Sequence, residues 1–236
     1  MATLVEKFFD DKDALTKELS ATLEQSLIDG INDDGRAVLM VSGGSSPAAA
    51  YKHLSTLDLD WQNVDVAMVD ERWVEPNHEK SNEAFIKSTL LQNFGNAANF
   101  ITMKNDASTA QQGAEKCEAA YSALKAPYDV TILGMGPDGH TASLFPHADG
   151  LENGLTTTQT VCAINAIQSD VTGSITERMT LTLHAIANSK VVKLLISGEE
   201  KLAVYKQAKA GGDVNDMPLR AVLNHPDINI EVYWAP

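Results

Sequence analysis

The sequence predicts an α/β fold built on a largely parallel sheet. Short β-branched runs alternate with amphipathic stretches, the pattern of βα units. Three of the apolar runs end in segments rich in Gly, Ser, Asp or a basic residue, as strands do where an open sheet meets its ligand crevice. The 236 residues suit one large domain or at most two small ones, and they can bury a sizeable core without staples. No internal repeat, low-complexity tract or clear linker divides them, so residues 1–236 are read as a single α/β domain.

Leu15, Leu19, Leu23 and Leu27 recur every four residues and predict a helix with one apolar stripe. Gly30, after Asp29, is expected to end it in a left-handed cap. AVLMVS (37–42) reads as a buried strand, followed by the loop Gly43-Gly44-Ser45-Ser46 and by Pro47 at the start of a helix. DVAMVD (65–70) is a second strand, and DERWVEPNHEKSN after it reads as an irregular loop. Ser81 or Asn82 then caps a helix carrying Phe85, Ile86, Leu90 and Leu91. Ser108 with Gln111 forms a capping box for a helix ending near Leu124. DVTILG (129–134) is a third strand, and TVCAIN (160–165), VVKLLIS (191–197) and INIEVYW (228–234) are expected to complete the sheet. MTLTL (179–183) fits either a strand end or a helix start.

Composition excludes several classes. Hydrophobic residues make up 44% of the chain, ordinary for a globular protein, and no apolar run is long enough to span a bilayer. The N-terminus places acids where a signal peptide needs a basic region and an apolar core, so a mature cytoplasmic protein is expected. A net charge of -14 argues against nucleic acid and anionic membranes as partners. Cys117 and Cys162 lack CxxC or histidine company and read as buried free thiols. No metal-ligand spacing stands out, and the oligomeric state is left open, with a monomer plausible.

The chemistry concentrates in three loops. In Ser42-Gly43-Gly44-Ser45-Ser46-Pro47, glycines allow close backbone approach, hydroxyls donate, and the next helix offers free N–H groups, a combination suited to phosphate. Taken alone the loop also fits a plain strand-to-helix turn; it is neither a Walker A loop nor GxGxxG. In Asp70-Glu71-Arg72-Trp73 the arginine can grip phosphate in a planar fork, with Asp70 or Glu71 orienting it or acting as a base. The sharpest segment is Gly134-Met135-Gly136-Pro137-Asp138-Gly139-His140, which brings a histidine beside Asp138 to the end of a buried strand. Histidine is a usable base near neutral pH, and amides of a glycine-rich turn can face an oxyanion. Arg178 and Lys201 flank strand-like runs, where a basic residue at a helix start hints at a nearby anion. His78 is a further candidate to line the site, His147 is ambiguous, and His53, His184 and His225 read as structural or exposed.

Together SGGSSP at Ser42, DERWV at Asp70 with SN at Ser81, GMGPDGHTASLFP at Gly134, ERMTLT at Glu177 and G-x-x-K at Gly198 resemble the 6-phosphogluconolactonase family. That family shares its fold with glucosamine-6-phosphate deaminases and ribose-5-phosphate isomerases. The resemblance spans most of the chain, and the histidine segment is its most specific part. It implies a single-domain, three-layer, Rossmann-like fold with a mostly parallel sheet flanked by helices. It further implies a cytoplasmic hydrolase of a sugar-phosphate lactone in the oxidative pentose phosphate pathway, needing neither metal nor organic cofactor. On these positions the resemblance makes His140 the catalytic base, Asp138 the acid of its loop, and Gly43, Gly44 and Ser45 the phosphate loop. Arg72 and Arg178 become the basic residues at the phosphate or sugar end, and Lys201 a further basic residue of the site. Related deaminases carry a glutamate five residues after the histidine, where this chain has Phe145, so isomerase or deaminase chemistry is the weaker alternative. A sugar-phosphate sensor is the third, disfavoured because a DNA-binding domain has no room before Ala37.

Overall fold

The computed structural model describes residues 3–236. In chain order the strands are β1 (Leu4–Phe8), β2 (Ala37–Val41), β3 (Val64–Met68), β4 (Asp70–Arg72), β5 (Asn99–Ile101), β6 (Val130–Gly134), β7 (Val161–Asn165), β8 (Glu177–Leu181), β9 (Val192–Ser197) and β10 (Ile230–Ala235). The helices are α1 (Lys12–Asp34), α2 (Ala48–Ser55), α3 (Asn82–Thr89), α4 (Ala110–Tyr121), α5 (Leu151–Thr156), α6 (Leu183–Ala187), α7 (Glu199–Lys209) and α8 (Leu219–Leu223).

Seven strands form one parallel sheet in the order β1-β10-β9-β6-β2-β3-β5, flanked by helices. β2 and β3 are buried along their whole length, which is why they read as unbroken apolar runs rather than alternating ones. From β2 the chain moves outward through β3 to β5; from β6 it moves the other way through β9 to β10. The order therefore reverses between β2 and β6, and a crevice opens beyond their carboxyl ends.

Several expectations are corrected. A second, antiparallel sheet in the order β4-β8-β7 lies beside the first. TVCAIN joins this small sheet and not the large one, and DERWV opens with strand β4 instead of being wholly irregular; MTLTL, which fitted a strand end or a helix start, holds both, the end of β8 and the first residue of α6. β1 and β5 have no counterpart in the sequence reading. β1 is a mostly exposed edge strand held by pairing to β10, and β5 is only three residues long. The capping residue of α4 is Thr109, which accepts from the Gln112 amide, one position later than expected.

Helix α1 runs past Gly30 and ends at Gly35, whose φ of 74° supplies the left-handed cap. Gly30 serves another purpose. A Cβ there would stand 2.5 Å from Cγ and Oδ1 of Asp129. The buried Asp129 carboxylate accepts the Val38 amide at 2.7 Å and pairs with Lys190 at 2.8 Å and Lys125 at 3.1 Å. It cannot move without breaking those bonds. Gly30→Ala is therefore expected to lower stability by about 1–2 kcal/mol, the overpacking cost exceeding the gain of about 1 kcal/mol in helix propensity. Thermal unfolding checks this: a fall in Tm of several degrees is expected, and an unchanged or higher Tm refutes the account.

Candidate active site

A cavity of about 600 Å³ occupies the crevice at the β2/β6 reversal. Seven of the eight residues singled out from sequence line it: Gly43, Gly44, Ser45, Arg72, His140, Arg178 and Lys201. Asp138 stands behind the wall and touches the cavity through His140. Trp73 and His78 are not part of it, and His147 pairs with Asp216 at 2.9 Å on the surface.

The histidine is placed by its loop. Beyond β6, Thr141 Oγ1 donates to the Gly134 carbonyl at 2.8 Å and folds the segment back on the strand end. Gly139, with φ of 77°, makes the turn. Asp138 Oδ1 receives the His140 amide at 3.1 Å and lies 2.5 Å from His140 Nδ1. A carboxylate accepts, so Nδ1 carries the proton and Nε2 presents its lone pair. Burial of Asp138 works against its charge, but the bonds from His140 outweigh it and hold the carboxyl below its ordinary range. Phe145 packs on the imidazole, ring centres 4.3 Å apart. Gly136 is required here, since a Cβ would lie 2.0 Å from His140 Cε1. The amides of Gly136 and Gly139 donate within the loop, to the His140 and Gly136 carbonyls, so these two do not face an oxyanion as the sequence suggested.

The cavity also carries three cationic side chains. Arg178 on β8 is buried, with Nε donating to the Ile175 carbonyl, Nη2 to the Thr172 carbonyl, and its guanidinium 5.2 Å from the Phe145 ring centre. Burial, then the neighbouring Arg72, pulls its pKa down to about 10, which leaves it charged at neutral pH. Arg72 on β4 donates to the Lys80 carbonyl at 3.1 Å. Lys201, in the first turn of α7, has no hydrogen-bond or ion-pair partner among the described residues, and burial lowers its pKa. Of the loop glycines, Gly44 needs its φ of 88°, while Gly43 makes room for Asn82.

Glu71 is not a cavity residue. It is buried and accepts from the amides of Arg72, Asn82 and Glu83 and from Ser81 Oγ, so it anchors the start of α3. Its burial pushes the carboxyl pKa up against the pull of those donors. Asp70 does line the cavity, receiving Ser143 Oγ at 2.6 Å and so tying β4 to the histidine loop. Sequence reasoning gave Ser143 and Asn82 no role at the site, although both lie within motifs that carried the resemblance, Asn82 in SN at Ser81 and Ser143 in GMGPDGHTASLFP. Among the described residues, no group of three His, Cys, Asp or Glu side chains is placed to hold a metal ion. No helix among the described residues is long and apolar enough to cross a membrane. Both cysteines are free and buried.

Fold and cavity define a class: a parallel α/β protein with a carboxylate-oriented histidine and three cationic side chains lining one cavity at the sheet's switch point. The chain belongs to the family of glucosamine-6-phosphate isomerases and 6-phosphogluconolactonases, whose model matches residues 10–234. A 6-phosphogluconolactonase of Rhizobium meliloti is 37% identical over 228 residues, covering 97% of each chain. One from Neisseria meningitidis is 40% identical, covering 92% of this chain and 96% of its own. The crystal structure of a 6-phosphogluconolactonase from Shewanella baltica superimposes with a TM-score of 0.94 at 40% identity, covering 99% of this chain and 98% of that one.

The lowered carboxyl of Asp138 has a consequence for stability. A depressed folded pKa stabilises above the unfolded value, about 3.9, and that contribution is lost as pH falls through the folded value. Asp138→Asn is therefore expected to be less stable than wild type at pH 7, with the gap closing below about pH 4. Urea unfolding at neutral and acid pH measures it; a gap that widens in acid contradicts the assignment.

Proposed function

We propose that this chain hydrolyses 6-phospho-D-glucono-1,5-lactone to 6-phosphogluconate, a step of the oxidative pentose phosphate pathway, with His140 as general base. The observation that carries the reading is the 2.5 Å contact of His140 Nδ1 with Asp138, which leaves Nε2 available at a cavity also lined by Arg72, Arg178 and Lys201. The names of the near-full-length relatives support the choice of substrate.

In this mechanism the substrate phosphate lies among the Gly43–Ser46 loop, Arg72, Arg178 and Lys201, and the lactone carbonyl lies toward His140. His140 Nε2 takes a proton from water as the oxygen adds to the carbonyl carbon. Negative charge then grows on the carbonyl oxygen within the field of the same cations, which is stronger in a partly desolvated cavity than in water. Collapse of the tetrahedral intermediate breaks the bond to the ring oxygen, which receives the proton from His140 Nε2. Asp138 keeps the tautomer and steadies the transient imidazolium. Phe145 fits hydrolysis better than isomerisation, since it covers the imidazole with a ring that moves no proton.

The test is acid release from freshly generated lactone, with spontaneous opening subtracted. Wild type is expected to accelerate opening, and His140→Ala to lose roughly 100- to 10,000-fold in kcat. Gly136→Ala, which displaces the imidazole while leaving the residue in place, is expected to lose about 100-fold in kcat with KM little changed. A wild-type rate equal to the blank ends the proposal.

A further inference from the structure

We infer that Asn82 is the positioning residue of the anion site, the group that sets Arg72 and the glycine loop in one fixed geometry; this rests on reading the cavity as a phosphate site. Asn82 is the first residue of α3 and only 7% exposed. Its own amide donates to Glu71 Oε1 at 2.9 Å, so the side chain starts from an anchored point. Both ends of the carboxamide are then used. Nδ2 donates to the Asp70 carbonyl at 3.0 Å and to Asp70 Oδ1 at 3.2 Å. Oδ1 accepts from Arg72 Nη1 at 3.3 Å. The reversed amide would set its NH₂ against the guanidinium and its oxygen against two acceptors, so the partners fix the orientation.

The third contact is steric. A Cβ on Gly43 would stand 2.0 Å from Asn82 Oδ1 and 2.5 Å from Cγ. Gly43 does not have the positive φ of Gly44, so its backbone tolerates a side chain. What excludes one is Asn82. The carboxamide is thus wedged between the glycine loop after β2 and the Asp70–Arg72 strand of the small sheet, two elements that belong to different sheets. No close substitute does all three jobs. Aspartate offers an oxygen where Asp70 requires a donor, leucine offers no polar atom, and glutamine is one methylene too long for the gap at Gly43. Without Asn82, the Arg72 guanidinium keeps the Lys80 carbonyl as its hydrogen-bond partner among the described residues.

The test compares Asn82→Asp, Asn82→Ala, Gly43→Ala and the Asn82→Ala/Gly43→Ala double variant with wild type. Asn82→Asp carries the test if Asn82→Ala is unstable, because an acid in the first turn of α3 favours the helix. Calorimetry gives Kd for inorganic phosphate and for 6-phosphogluconate, and lactone assays give KM and kcat. Each single variant is expected to weaken phosphate binding roughly tenfold: Asn82→Ala by loss of the bond to charged Arg72, Asn82→Asp by setting an acceptor against Asp70 and a negative charge near the anion, and Gly43→Ala by driving the loop off the carboxamide. KM should rise in step while kcat stays within about threefold, since His140 and Asp138 are untouched. In the double variant the methyl introduced in place of the Gly43 hydrogen no longer meets a carboxamide, so its loss should be smaller than the product of the two singles. Two results overturn the inference: single variants that bind phosphate as wild type does, or a double variant whose losses simply multiply. If wild type binds phosphate and the variants weaken it, but no lactone is opened, the positioning role stands and the lactonase proposal fails. A wild type that binds neither ligand overturns both.

Discussion

The Asp129 carboxylate accepts the Val38 amide at 2.7 Å, and the Asp129 amide donates to the Val38 carbonyl at 3.0 Å. This paired bond, at the end of the strands remote from the cavity, sets Leu39 opposite Val130. Everything at the other end inherits that register. The glycine loop leaves β2 and the histidine loop leaves β6 side by side. A slip of one residue would shift one loop past the other by about 3.3 Å and turn every core side chain of the strand to the wrong face. Gly30 of α1 leaves room for this carboxylate, where any Cβ would stand 2.5 Å from it. A residue far from the cavity thus holds the two loops that line it.

The cavity resolves the tension between an acidic chain and an anionic ligand. The net charge of -14 describes the surface as a whole; a ligand inside the crevice meets Arg72, Arg178 and Lys201 at close range. At the scale of the Debye length, about 8–10 Å in physiological salt, distant surface acids are screened while partly buried cations are not. Arg178 makes this effective because its hydrogen bonds go to the carbonyls of Ile175 and Thr172, which hold the guanidinium in place without cancelling its charge.

How much of this was legible in the sequence depended on whether a signal was local. β2 and β3 were legible because parallel strands buried on both faces leave nearly continuous apolar runs, and β6, β9 and β10 because β-branched and aliphatic residues dominate them despite Thr131, Lys193 and Glu231. β1 was not, because LVEKF is a mostly exposed edge that owes its form to β10. Gly30 and Gly35 both fit a helix end; only the contact with Asp129 separates a packing glycine from a capping one. His140 and Asp138 stood out since the loop that positions them is a continuous stretch of turn-forming residues. Asn82 did not, because its partners Gly43, Asp70 and Arg72 come from two other loops. Asp138's placement just behind the cavity wall was equally a matter of three-dimensional contact.

The small sheet adds a constraint of its own. β4 and β8 pair so that Arg72 lies directly opposite Arg178. Like charges opposed across a sheet are destabilising, and one of this pair is buried. The two guanidiniums are held by separate acceptors: Lys80 and Asn82 for one, Thr172 and Ile175 for the other. Asp70 and Glu71 on the same strand offset part of the repulsion at Arg178. In the proposed mechanism a dianionic phosphate between the two arginines would relieve the rest, and that relief would favour binding. Paired strands, which are stiff, are well suited to keep such a charge pair from simply swinging out into water; the same two arginines on flexible loops would relax apart and lose the advantage.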